Sequence, residues 1–307
     1  MSASAPSLLA PRVLVPFLVA TIVWGSTWLV IADQLGVVPP SWSIAYRFAF
    51  GAATMFIWAV LTRSPFAIGW AGQAFALLFG FAQFVLNFNF VYRAEAYVTS
   101  GLVAVVFALL LVPNAILARV FLKAPLSTRF LAGSGVALLG VAMLIAQELR
   151  SDAASIGETA LGFAFTLLGV LSASVANVMQ GSERSRTMPM AATLAWAMLW
   201  GTLLNAGFAL ATTGAPVFET RATYWLGTAY LGVFASAVAF TCYFSVIRVI
   251  GPARAAYSSV LTPIIAMLLS TLFEDYRWTV LAAAGGVVAL IGLLIAFSAP
   301  RPATKSG

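Results

Sequence analysis

Three features of the sequence point to an all-α integral membrane protein, with ten transmembrane helices arranged as two inverted five-helix repeats. The composition suits lipid contact: of 307 residues, 62% are hydrophobic and 8% charged, and mean hydropathy is +1.00. Basic and acidic residues sort onto alternating loops. A set of residues in the first half recurs in the second at a near-constant offset.

Uncharged apolar runs long enough to cross roughly 30 Å of hydrocarbon fall near residues 13–33, 41–62, 70–92, 97–121 and 128–147, then 158–180, 190–213, 223–246, 253–273 and 278–298. The gaps carry breakers: Pro39-Pro40, Ser64-Pro65, Lys123-Ala124-Pro125, Gly157, Met188-Pro189, Gly214-Ala215-Pro216 and Gly251-Pro252. The first run has a weakly basic flank and the length of a full span, so it reads as a helix rather than a signal peptide. The spans use nearly the whole chain and leave no room for a soluble domain. The expected units are residues 1–150 and 151–307.

With ten spans both termini lie on one side, assigned to the cytoplasm by charge. Arg12, Arg63, Arg119, Lys123, Arg129, Arg184, Arg186, Arg248, Arg254, Arg301 and Lys305 fall there. The other side receives Arg93, Arg150, Arg221 and Arg277 with Asp33, Glu95, Glu148, Asp152, Glu158, Glu219, Glu274 and Asp275. Glu183 is the one acid on the inner side. Eleven basic groups against four is a positive-inside bias. The net charge of +7 is therefore topological, and nucleic-acid binding is not expected.

Gly101, Pro113 and Leu122 recur as Gly251, Pro263 and Leu272 at an offset of 150; Gly133, Ala137 and Gly140 recur as Gly285, Ala289 and Gly292 at 152. The repeat unit is five helices, and an odd number of crossings turns the second copy over. The loop with Lys123 and Arg129 is basic, whereas its counterpart holds Glu274 and Asp275. The small-residue stripes are read as close helix packing, within one bundle or between subunits, so the oligomeric state stays open. Pro113 and Pro263 each remove a mid-span backbone hydrogen bond, and matched interruptions point to a binding cavity.

Composition also excludes chemistry. There is no His and a single Cys, Cys242, so metal clusters, Cys-His pairs and Ser-His-Asp triads lack their parts. No metal or cofactor is expected. An embedded enzyme would need acid-base catalysis without His or a midplane carboxylate.

A transport site must replace part of a solute's hydration shell. Span three offers Gly80, Gln83 and Asn87 on one face; span eight offers Ser236, Phe240 and Tyr243. Trp24 and Trp28 of span one, Ser174 and Asn177 of span six, Trp196 of span seven, and Tyr257 and Ser258 of span nine complete the candidates. Aromatic faces stack an apolar group while amides and hydroxyls orient a polar one. Arg47 lies about 9 Å into span two; either it meets a solute carboxylate, or it snorkels outward to Asp33, the pairing favoured by its shallow depth. No Asp, Glu or His falls in the middle of a span, so proton coupling has no support at this level.

Trp24-Gly25-Ser26, Arg47, Thr99-Ser100-Gly101 through Pro113, and Gly251-Pro252 through Pro263 to Leu272-Phe273-Glu274 together resemble the EamA-type drug/metabolite transporters. The resemblance covers almost the whole chain, and its nearest likeness is to the YddG-type aromatic amino-acid exporters. One departure is Leu122-Lys123-Ala124-Pro125, where many members end that helix with Glu. The resemblance implies a bacterial inner-membrane protein exporting amino acids by alternating access. An uncharged, aromatic-rich cavity suits a neutral zwitterion; a nucleotide-sugar carrier would want several phosphate-binding cations. A passive facilitator is the other competing reading.

Overall fold

The structure is a computed structural model that describes residues 10–98, 100–151, 156–273 and 278–297. Thr99, Asp152, Glu274, Asp275, Arg277, Arg301 and Lys305, used above for motifs and charge sorting, lie outside the described residues. Among the described residues there are helices and turns but no strand. That follows from a solvent without hydrogen-bonding partners, in which a helix satisfies its backbone within one segment.

The helical rods are α1 (Pro11–Gln34), α2 (Pro40–Leu61), α3 (Gly69–Ala94), α4 (Ser100–Phe107 and Leu111–Leu122, joined by a 3-10 turn at Ala108–Leu110) and α5 (Thr128–Ser151). They continue as α6 (Ile156–Gly181), α7 (Met190–Thr213), α8 (Ala222–Ile250), α9 (Pro252–Ala255 and Tyr257–Phe273) and α10 (Val280–Phe297). A short helix, Glu183–Thr187, links α6 to α7, with Ser182 accepting the Ser185 backbone N–H at its start. Among the described residues eight helices are long and apolar enough to cross a membrane, and Val280–Ala296 is a shorter apolar helix. This is a multi-pass membrane protein. Its outward apolar side chains, such as Leu61, Leu226 and Val280, are those a lipid-facing surface carries.

Helix ends follow the breakers. Pro40 opens α2 at a position where a missing N–H costs nothing. Gly214 and Gly251 close α7 and α8 with φ of 87° and 84°, which glycine reaches without strain. The 3-10 turn in α4 lies just before Pro113, whose ring crowds the preceding turn. Pro263 sits inside the second part of α9.

Small residues set the closest approaches. The stripe Gly133, Ala137, Gly140 on α5 packs against Gly285, Ala289, Gly292 on α10, and a Cβ on Gly133 would fall 2.6 Å from the Gly292 carbonyl oxygen. The stripes thus meet inside one bundle. Deeper in, Gly80 of α3 lies against the Ala197 backbone of α7, and Gly232 of α8 against the Arg47 backbone of α2. The two glycines are 152 positions apart and their partners 150.

Two features had no sequence signal. α3 widens into a π-helix at Phe81–Leu86 and α8 does so at Val233–Val238, again 152 positions apart. Each extra residue per turn strands a carbonyl, and such segments often mark functional sites. Here both carbonyls are recovered across the bundle: Asn205 Nδ2 of α7 donates to Phe84 O at 2.9 Å, and Trp24 Nε1 of α1 donates to Ala235 O at 3.0 Å.

Candidate functional site

A cavity of about 90 Å³ lies among α1, α2, α3, α4, α6, α8 and α9. One water needs roughly 10–15 Å³ on that measure, so several waters or part of a small solute fit. Its wall is mostly apolar and aromatic, with Trp24, Trp28, Phe88, Phe107, Phe240 and Tyr243 as the rings. Trp24 meets Phe240 and Tyr243 edge-on, with centroids 5.1 and 4.9 Å away. Those contacts fix the rings without covering their cavity faces.

Four polar atoms of wall residues are buried without a hydrogen-bond partner: Trp28 Nε1, Arg47 Nη1, Gln83 Oε1 and Asn87 Oδ1. Leaving such an atom unmet costs about 1–3 kcal/mol, so each calls for a partner inside the cavity, water or solute. Two are donors and two acceptors. At the other end of the cavity, Asn177 Nδ2 reaches the Tyr243 hydroxyl and Asn114 Oδ1, each at 3.4 Å. Asn114 in turn donates to Pro252 O at 3.2 Å, tying the residue after the α4 proline to the start of α9.

Arg47 corrects the expectation of a snorkelling cation paired with Asp33. It is 1% exposed. Its Nε donates to Ser236 Oγ at 3.0 Å, and its guanidinium stands 4.4 Å from the Phe88 ring centroid. Asp33 instead meets Arg221 at 3.4 Å on the exposed surface. The reason is rotational: the α2 face bearing Arg47 turns towards α8, so the long side chain lies across the bundle rather than along it.

Of the residues expected from sequence, the fold brings Trp24, Trp28, Arg47, Gln83, Asn87, Asn177, Phe240, Tyr243 and Ser258 to this one wall. Four fall elsewhere. Ser236 stands behind the wall and holds Arg47. Ser174 is fully buried in α6 outside the lining. Trp196 donates to Phe66 O and stacks edge-on against Phe56, away from the cavity. Tyr257 bonds Ser134 at 2.8 Å on the α5 side. Pro113 is off the wall although Leu110 lines it, while Ser259 and Thr262 precede Pro263 on the lining. Sequence reading missed Thr27, Ser259, Thr262 and Phe107, which carry no spacing that separates them from packing residues.

Glu95 is the second surprise. It was placed in an outer loop, yet both carboxylate oxygens are buried and unpartnered. The backbone explains this: Glu95 closes α3 with φ −67° and ψ −12°, continuing the helix for one more residue. Asn87, Val91 and Glu95 are spaced i, i+4, i+8 and share the face that looks into the bundle, with Asn87 and Val91 on the cavity wall.

A bundle of membrane-crossing helices around a small, aromatic and partly unsatisfied cavity defines a solute-handling membrane protein. The chain belongs to the EamA-like transporter family, whose pattern it matches over residues 12–146 and 160–298. It is 26% identical over 283 residues to protein PagO of Salmonella typhimurium, covering 91% of this chain and 89% of that one. It is also 25% identical over 286 residues to the uncharacterized transporter YdfC of Bacillus subtilis, covering 89% and 87% respectively. A crystal structure shares the fold with a TM-score of 0.74 at 18% identity, over 92% of this chain and 95% of the other. The family and the description of YdfC point to transport across a membrane.

Proposed function

We propose that the chain is a secondary transporter of neutral amino acids, aromatic ones foremost, and related metabolites, exporting them across a bacterial inner membrane with both termini cytoplasmic. Its ten spans form two inverted units, residues 1–150 and 151–307, that rock about the cavity in alternating access, with Pro113 and Pro263 shaping the moving helices. Support for the repeats comes from the paired π segments and the exchanged Gly80–Ala197 and Gly232–Arg47 contacts.

The observation that carries the substrate reading is the set of four unmet polar atoms. Arg47 Nη1 and Trp28 Nε1 suit a carboxylate; the Gln83 and Asn87 oxygens suit an ammonium; Phe88, Phe107 and Phe240 suit an apolar side chain. A phosphorylated solute would meet only one cation on this wall.

Counterflow of labelled Phe, Trp and Leu into proteoliposomes of the purified protein tests the assignment. Saturable uptake competed by unlabelled Phe is the expected result. Absence of uptake for every amino acid, with the protein folded, removes the substrate class.

A further inference from the structure

Glu95 is a buried acid that the transport reading above does not use. Its two oxygens lack any partner, and so does Nη1 of Arg47, a cation whose charge bears on it. Among the described residues Arg47 and Glu95 make no ion pair within 4.0 Å. Glu95 follows Asn87 and Val91 at four-residue spacing on the α3 face that reaches the cavity, and Arg47 lies on the cavity wall. The other described groups whose charge bears on this pair, and the nearby arginines, have partners of their own. Tyr92 bears on both charges and is bonded to Gln34 at 3.1 Å. Tyr224 and Tyr230 of α8 are bonded to Ser43 and Ser26. Arg93 turns away to Asn89 and the Phe208 ring. Arg221 takes up Asp33 and Glu219.

We infer that Glu95 is a proton-binding site positively linked to the solute carboxylate bound at Arg47. When Glu95 is ionised it is the counter-charge of Arg47, and the guanidinium is less available to a second carboxylate. When Glu95 takes a proton from water at its end of the bundle, one O–H bond forms, no other bond breaks, and Arg47 is left uncompensated. A solute carboxylate then supplies the missing negative charge. By reciprocity, the bound solute strengthens proton binding at Glu95 by the same factor. Burial pushes the Glu95 carboxyl up to about 8 against the pull of Arg47, which puts its titration near neutral pH.

The linkage rests on the amino-acid reading; the proton site does not, and two arms separate them. In the first, infrared spectra of the full-length protein follow the protonated carboxyl band from about pH 5 to about pH 10. A band that titrates near neutrality and is lost in E95Q is expected. A band titrating in the ordinary carboxylate range, or unchanged by E95Q, overturns the proton site. E95D serves if E95Q does not stay monodisperse, because it should displace the same band. In the second arm, Phe counterflow is measured across the same pH range. Half-saturation should rise about tenfold from acid to alkaline pH, in keeping with the usual size of such couplings, and E95Q should stay at the acid value. Half-saturation that does not move with pH overturns the linkage. If wild-type protein shows no counterflow, the amino-acid reading falls instead, and the infrared arm still decides the proton site.

Discussion

The π segments of α3 and α8 have the same backbone shape and opposite duties. In α3 the segment Phe81–Leu86 presents Gln83 to the cavity with its amide oxygen unmet, and its stranded Phe84 carbonyl is taken by Asn205. In α8 the segment Val233–Val238 turns Ser236 away from the cavity to hold Arg47, and its Ala235 carbonyl is taken by Trp24. One segment therefore displays a recognition group and the other fixes one. A widened turn offers a local freedom of backbone, and the neighbouring helix decides how that freedom is used.

The largest expected effect tests the fixed partner. Arg47→Ala removes the charge-assisted contact to a carboxylate, about 1.5–3 kcal/mol, so counterflow affinity should fall about 10- to 100-fold while Arg47→Lys recovers part of it. An Arg47→Ala protein with wild-type affinity would make Arg47 a structural group only. Next in size is Asn205→Ala, which takes the cross-bundle donor from the Phe84 carbonyl and one of two acceptors from Asn89 Nδ2; thermal unfolding in detergent should show a loss of about 1–3 kcal/mol. Trp24→Phe keeps the ring packing and loses the donor to Ala235, for about 1 kcal/mol and a few-fold loss of transport. If Trp24→Phe matches wild type in both, the α8 segment needs no bridge and the parallel with α3 fails.

Gln83→Leu sharpens the contrast, since it deletes an unmet acceptor: affinity should drop several-fold with stability kept or raised. The smallest effect belongs to Trp196→Phe, whose indole serves Phe66 outside the cavity; transport should stay within about twofold. pH adds a further check. A carboxyl whose folded value lies above its ordinary 4.5 stabilises the fold fully below that value and loses the contribution as pH rises through about 8. Thermal stability should fall over that window, and E95Q should flatten the slope.

Much of the architecture was legible because its causes are local. Long uncharged runs give helices, Pro and Gly mark their ends, and small-residue stripes mark helix contacts; that the α5 and α10 stripes meet each other, Gly133 against Gly292, came from the structure. The site was half legible. Gln83 and Asn87 were found because polar groups on one face of an apolar helix stand out, and Phe240 and Tyr243 because aromatic groups at i and i+3 share a face. Ser236 was expected beside them and is not, because the π segment adds a residue to the turn and rotates its face.

The chain itself thus determined its helices, its charge sorting and its matched halves, since hydropathy and loop charge act residue by residue on any environment the segment meets. The tertiary structure alone decided which polar groups meet. Arg47 and Glu95 read as a cation near a surface and an acid in a loop; helix rotation buries the first, and one extra helical residue after Ala94 buries the carboxylate oxygens of the second. Burial depends on what covers a side chain, and the covering helix, α8 over Arg47, lies 189 residues away at Ser236.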